Sequence, residues 1–104
     1  MATYFVTRHA GARAWAAKQG ITVDRRIDHL DIAMIGPDDT VIGSLPVNLA
    51  SEVCARGARY MHLVLLLPPE LRGKELSATE MLALNARLEA FHVEKIGEGR
   101  FCAF

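Results

Sequence analysis

Arg8 and His9 stand side by side, followed at once by Ala10 and Gly11. Arginine carries a permanent charge on a planar fork of donors, and histidine exchanges a proton near neutral pH. Together they suit a phosphate, with one group to hold the anion and one to act as acid or base. A second set lies at Ser44-Leu45-Pro46-Val47-Asn48, where Ser44 and Asn48 carry side-chain donors. Arg72 and Lys74 add two cations in a later loop. No His, Cys, Asp or Glu set has metal-ligand spacing. The adjacent Asp38 and Asp39 sit in a Gly-Pro-Asp-Asp stretch with no third ligand, which predicts a solvated turn. No metal and no cofactor are expected.

Two kinds of element must position these groups. Thr3 to Thr7 are β-branched and aromatic residues of a buried strand, and a helix over about Gly11 to Gln19 follows, stopped by Gly20. A strand that turns directly into a helix leaves backbone N–H groups and the positive end of a dipole facing an anion. The N–H groups of Ala10, Gly11 and Ala12 are the donors at that turn. Ala12, Trp15 and Ala16 share a face and belong in the core. Arg26 to Leu30 reads as an edge strand of uncertain direction, and Asp31 to Asp39 as a loop.

Thr40 to Gly43 is a short buried strand, and Pro46 marks the first turn of a second helix closed by Arg56-Gly57. Its inward stripe is Val47, Ala50, Val53 and Cys54. This is the second strand-to-helix turn able to meet an anion. Arg59 to Leu67 is nearly continuous apolar sequence and predicts a central strand. His62 within it reads as a core histidine with a local partner, ahead of a catalytic role. Ser77-Ala78-Thr79-Glu80 is a capping box, and Met81, Leu84, Leu88 and Phe91 extend the third helix at helical spacing. Val93 to Ile96 is a candidate last strand, and Phe101 and Phe104 need cover.

This rhythm predicts an α/β domain: a mainly parallel sheet of about five strands covered by three helices. Ligands of such sheets collect at the carboxyl ends of the strands, where strand order reverses. If the first strand has neighbours on both sides, the two helix entrances meet there, with the Arg72 loop at the same edge. With 104 residues, one domain over 1–104 is expected. A formal net charge of zero argues against a binder of long nucleic acid. No long apolar segment predicts a membrane span, and cysteines Cys54 and Cys102 lie far apart, so a reduced, cytoplasmic protein is expected.

Thr7-Arg8-His9-Ala10 resembles the Arg-His-Gly signature of the histidine phosphatases, with Ala10 in place of the glycine. That family's second arginine, second histidine and larger chain have no counterpart that can be placed here. A fuller resemblance runs from Thr3 to about Phe91. It rests on Thr3-Tyr4-Phe5-Val6-Thr7-Arg8-His9-Ala10-Gly11-Ala12 and Gly43-Ser44-Leu45-Pro46-Val47-Asn48-Leu49-Ala50. Glu52 to Tyr60 and Leu67-Pro68-Pro69-Glu70-Leu71-Arg72-Gly73 continue it. In these strings the chain resembles a small CRISPR-associated family, the one numbered sixteen in the Csx series, found beside type III systems. The resemblance implies a Rossmann-like fold related to the CARF sensors of cyclic oligoadenylate. It also implies ring nuclease activity, the opening of cyclic tetra-adenylate that switches off an antiviral signal.

Chemistry then assigns roles. Metal-independent cleavage uses the neighbouring 2′-hydroxyl as nucleophile and leaves a 2′,3′-cyclic phosphate. Arg8 is the candidate for phosphate stabilisation, His9 the candidate acid, and Asn48 and Ser44 candidates for gripping phosphate or ribose. Ala10, Gly11, Ala12, Leu45 and Pro46 line the two turns, and Arg72 is placed to close over the ring. A two-fold ring suits a homodimer with the ligand across its interface. The rival expectations are a protein that sequesters the ring without cutting it, and an interaction module with no affinity for it.

Overall fold

A computed structural model gives the fold, and the residues it describes are 1–7, 10–65, 69–71 and 76–97. Five strands, β1 (Thr3–Val6), β2 (Arg25–Ile27), β3 (Thr40–Gly43), β4 (Arg59–Val64) and β5 (Arg87–Phe91), form one sheet in the order β2-β1-β3-β4-β5. The first four are parallel, and β5 runs antiparallel to β4. Three helices accompany them: α1 (Ala10–Lys18), α2 (Val47–Ala55) and α3 (Ala78–Ala83). This is the expected α/β architecture, a mostly parallel Rossmann-like sheet.

Alternation along the strands builds two cores. Tyr4, Val41 and Tyr60 face α2 and pack with Ala50, Val53 and Cys54. Phe5 and Ile42 face the other way, onto Ala12, Trp15 and Ala16 of α1 and Ala78 and Met81 of α3. Trp15 is 2% exposed, as its helical spacing predicts, although its indole N–H meets no acceptor among the described residues.

All three helices end in the same way. The residue after the cap takes a left-handed conformation, and two backbone bonds reach back over the last turn. Gly20 (φ 74°) and Gly57 (φ 82°) do this for α1 and α2, and Asn85 (φ 60°) does it for α3. At α3, Asn85 N–H donates to the Leu82 carbonyl at 3.1 Å and Ala86 N–H to the Met81 carbonyl at 3.0 Å. The Ser77–Glu80 capping box opens α3 as expected.

Several expectations are corrected. The third helix does not run to Phe91: Asn85 stops it, and Leu88 and Phe91 belong to β5, against β4. No strand forms over 93–96; Val93 instead packs against the α2-side core. The second strand lies at 25–27 rather than 26–30 and is parallel to β1. A short 3-10 turn over Ile32–Met34, capped by Asp31, interrupts the 31–39 loop. Strand β4 ends at Val64, and Leu66 and Leu67 lie outside the described residues, as do Phe101, Cys102 and Phe104.

Asp39 is not solvated. It is buried, and its carboxylate accepts the N–H groups of Gly36 and Ala2, each at 2.9 Å. Its role is to tie the turn before β3 to the start of β1.

Candidate functional site

Strand β1 has β2 on one side and β3 on the other, so strand order reverses between β1 and β3. At such a point the two chain exits diverge to opposite faces and leave a crevice at the carboxyl edge. That happens here: β1 leads to α1 on one face, and β3 leads to α2 on the other. The strand ends themselves press together. A Cβ placed on Gly43 would lie 3.0 Å from the Val6 carbonyl oxygen, so a residue without a side chain lets the ends close.

Ala10 and Gly11, at the start of α1, follow the carboxyl end of β1, and Ser44, Leu45, Pro46 and Asn48, around the start of α2, follow that of the adjacent strand β3. Arg8, His9 and Arg72 lie outside the described residues. Positions 8 and 9 connect Thr7, at the end of β1, to Ala10. Gly11 allows α1 to sit directly on the chain before α3, because a Cβ there would overlap the Leu76 carbonyl. Ala12 has its side chain buried in the core beside Trp15 and Ala16.

At the second turn the donors differ from expectation. The Ser44 hydroxyl donates to the Leu63 carbonyl at 3.1 Å, bridging the ends of β3 and β4, so its proton is engaged. The Leu45 N–H is also engaged, donating to the Tyr60 hydroxyl at 3.0 Å. Pro46 is the helix cap and makes no side-chain capping bond. The intrahelical ladder begins with Ala50 N–H to the Pro46 carbonyl, and among the described residues no capping side chain serves Val47, Asn48 and Leu49 N–H. Asn48 is exposed beside them. Val47, expected to face inward, is 72% exposed, because the first turn of α2 lies at the sheet's carboxyl edge, beyond the end of β3.

Three further residues lie at this edge. Arg26 donates to the Thr7 carbonyl at 3.0 Å and pairs with Asp28 at 2.9 Å, holding the end of β1 where residue 8 follows. His62 and Tyr60 point the same way from β4, with the Tyr60 hydroxyl 2.5 Å from His62 Nδ1. The same hydroxyl lies 3.1 Å from the Gly43 carbonyl. His62 does have the local partner expected of it, but it is only partly buried. Burial pushes the Tyr60 phenol above its ordinary pKa, against the opposing pull of the Leu45 N–H, so it stays a neutral hydroxyl. The only available signal was the two-residue spacing of Tyr60 and His62, which puts both on one face of a strand.

A cavity of about 450 Å³ lies at the opposite, amino end of the sheet, among Met1, Asp39, Cys54, Arg59 and His92. Its buried carboxylate, Asp39, is already engaged by backbone N–H groups. Among the described residues no group of three His, Cys, Asp or Glu side chains could hold a metal ion. None of the described helices is long and apolar enough to cross a membrane.

No curated protein and no solved structure matches the chain. A family model does, over residues 4–94, which runs from the second residue of β1 past the end of β5 and includes both strand-to-helix turns. The chain therefore belongs to the CRISPR-associated family described as "Putative CRISPR-associated protein (Cas_VVA1548)".

Proposed function

We propose that this protein is a type III CRISPR ring nuclease of the family numbered sixteen in the Csx series, which opens cyclic tetra-adenylate without a metal. What supports the reading is that two strand-to-helix turns follow the carboxyl ends of the adjacent strands β1 and β3, in a chain of a CRISPR-associated family. Uncapped N–H groups at the start of α2 and the chain entering α1 suit successive phosphates of one ring. In this reading Arg8 stabilises the charge that develops on phosphorus, and His9 protonates the departing 5′-oxygen. Asn48 and the N–H groups of the two turns hold phosphate and ribose, and Arg72 closes over the ring. Ser44 contributes as an acceptor, since its proton is engaged. A two-fold homodimer matches the symmetry of the ring and places one crevice on each half.

The experiment mixes purified protein with cyclic tetra-adenylate in the presence of a chelator and separates the products. Linear products ending in 2′,3′-cyclic phosphate support the reading. Intact ring recovered from a denatured complex identifies a sequestering protein instead, and absence of binding identifies an interaction module. His9→Ala is expected to slow cleavage roughly 100- to 10,000-fold with binding retained.

A further inference from the structure

Cleavage by a 2′-hydroxyl needs a group to take that hydroxyl's proton, and none of the residues given roles above does so. We infer that His62 is this general base, positioned by Tyr60; the inference rests on the ring-nuclease reading.

Hydrogen-bond bookkeeping around the Tyr60 hydroxyl supports it. The oxygen has three neighbours: the Leu45 N–H at 3.0 Å, the Gly43 carbonyl at 3.1 Å and His62 Nδ1 at 2.5 Å. A hydroxyl donates one proton and accepts two. The Leu45 N–H can only donate and the Gly43 carbonyl can only accept. All three contacts are hydrogen bonds in only one arrangement: the tyrosine proton goes to Gly43, and the oxygen's second lone pair receives a proton from His62. That sets neutral His62 as the Nδ1–H tautomer, with the lone pair on Nε2. Nε2 has no hydrogen-bond partner among the described residues, and Phe91 meets the ring edge-on at 5.8 Å between centroids. One nitrogen is locked and the other is unengaged, beside the turn that leads into α2.

The step balances without a co-reactant. The 2′-hydroxyl proton passes to Nε2 of His62 as the 2′-oxygen bonds to phosphorus. The bond from phosphorus to the 5′-oxygen breaks, and that oxygen receives the proton of His9. Solvent then removes one proton from His62 and returns one to His9, so the ring opens with no net consumption of water.

Two measurements test this. Nitrogen-15 spectra of the intact protein are expected to show neutral His62 protonated at Nδ1 and bare at Nε2; the opposite tautomer overturns the inference whether or not the protein cleaves. In single-turnover cleavage of cyclic tetra-adenylate, His62→Ala is expected to lose roughly 100- to 10,000-fold in rate with unchanged affinity. Added imidazole should restore a measurable part of that rate, which a purely structural loss would not allow. Tyr60→Phe should lower the rate and mix the His62 tautomers, and His62→Gln, closer in size, serves should the alanine variant misfold. A folded His62 variant that cleaves at the normal rate, or whose defect imidazole leaves untouched, overturns the base assignment alone. A wild-type protein that leaves the ring intact overturns the ring-nuclease reading and the base role together, with the tautomer still measured.

Discussion

Gly43, the last residue of β3, lies so close to Val6, the last residue of β1, that a Cβ on it would stand 3.0 Å from the Val6 carbonyl. The contact lies at the switch point, where strand order reverses between β1 and β3. Gly43→Val should therefore push the strand ends apart and weaken the proposed binding of cyclic tetra-adenylate in a variant that still folds. Calorimetric titration beside a thermal melt checks this; equal affinity in a folded variant would show that the strand ends do not shape the site.

Gly11 makes a second close approach, between helices. An added methyl would overlap the Leu76 carbonyl, and α1 and α3 would have to separate. Gly11→Ala should cost about 1–3 kcal/mol of stability despite alanine's better helix propensity, as overpacking does. Urea denaturation measures it, and a stabilised variant would contradict the packing described.

Asp39 makes the fold acid-sensitive. The N–H groups of Gly36 and then Ala2 hold its carboxyl below the ordinary value of 3.8, opposing the effect of burial. A depressed carboxyl pKa contributes stability that is present above the unfolded-state value and is lost as pH falls through the folded-state value. Asp39→Asn should be less stable near neutral pH and should lose less on acidification below about pH 4 than the parent does. Parallel acid titrations followed by circular dichroism give the comparison, and identical acid profiles would remove Asp39 from the account.

Asn85 holds the left-handed turn that ends α3. Replacing it with alanine forces a Cβ-bearing side chain without asparagine's local hydrogen bonding into that conformation, at a cost of about 1 kcal/mol. Glycine at the same position should be neutral or stabilising. Thermal melts of the two variants are expected to fall on opposite sides of, or respectively below and level with, the parent.

Asn85 also explains the largest error in the sequence reading. Met81, Leu84, Leu88 and Phe91 keep helical spacing, and no glycine or proline interrupts them. Asparagine is a weaker stop signal than the Gly20 and Gly57 that ended the other two helices correctly. What decided the matter was β4, whose open edge pairs with Arg87–Phe91. Asp39 was misjudged for a related reason: Ala2, which helps to hold it, lies 37 residues away.

Local chemistry was enough to place β1, β3, α1, α2 and the start of α3, because side-chain periodicity, caps and glycine stops act within a few residues. It also located both strand-to-helix turns. Only the folded chain could set the order β2-β1-β3-β4-β5 that makes those turns neighbours, the parallel sense of β2, and the Tyr60–His62 pair tied to Leu45. Each of those depends on hydrogen bonds and packing between segments distant in the chain, and no pattern confined to one segment encodes which distant partner it will meet.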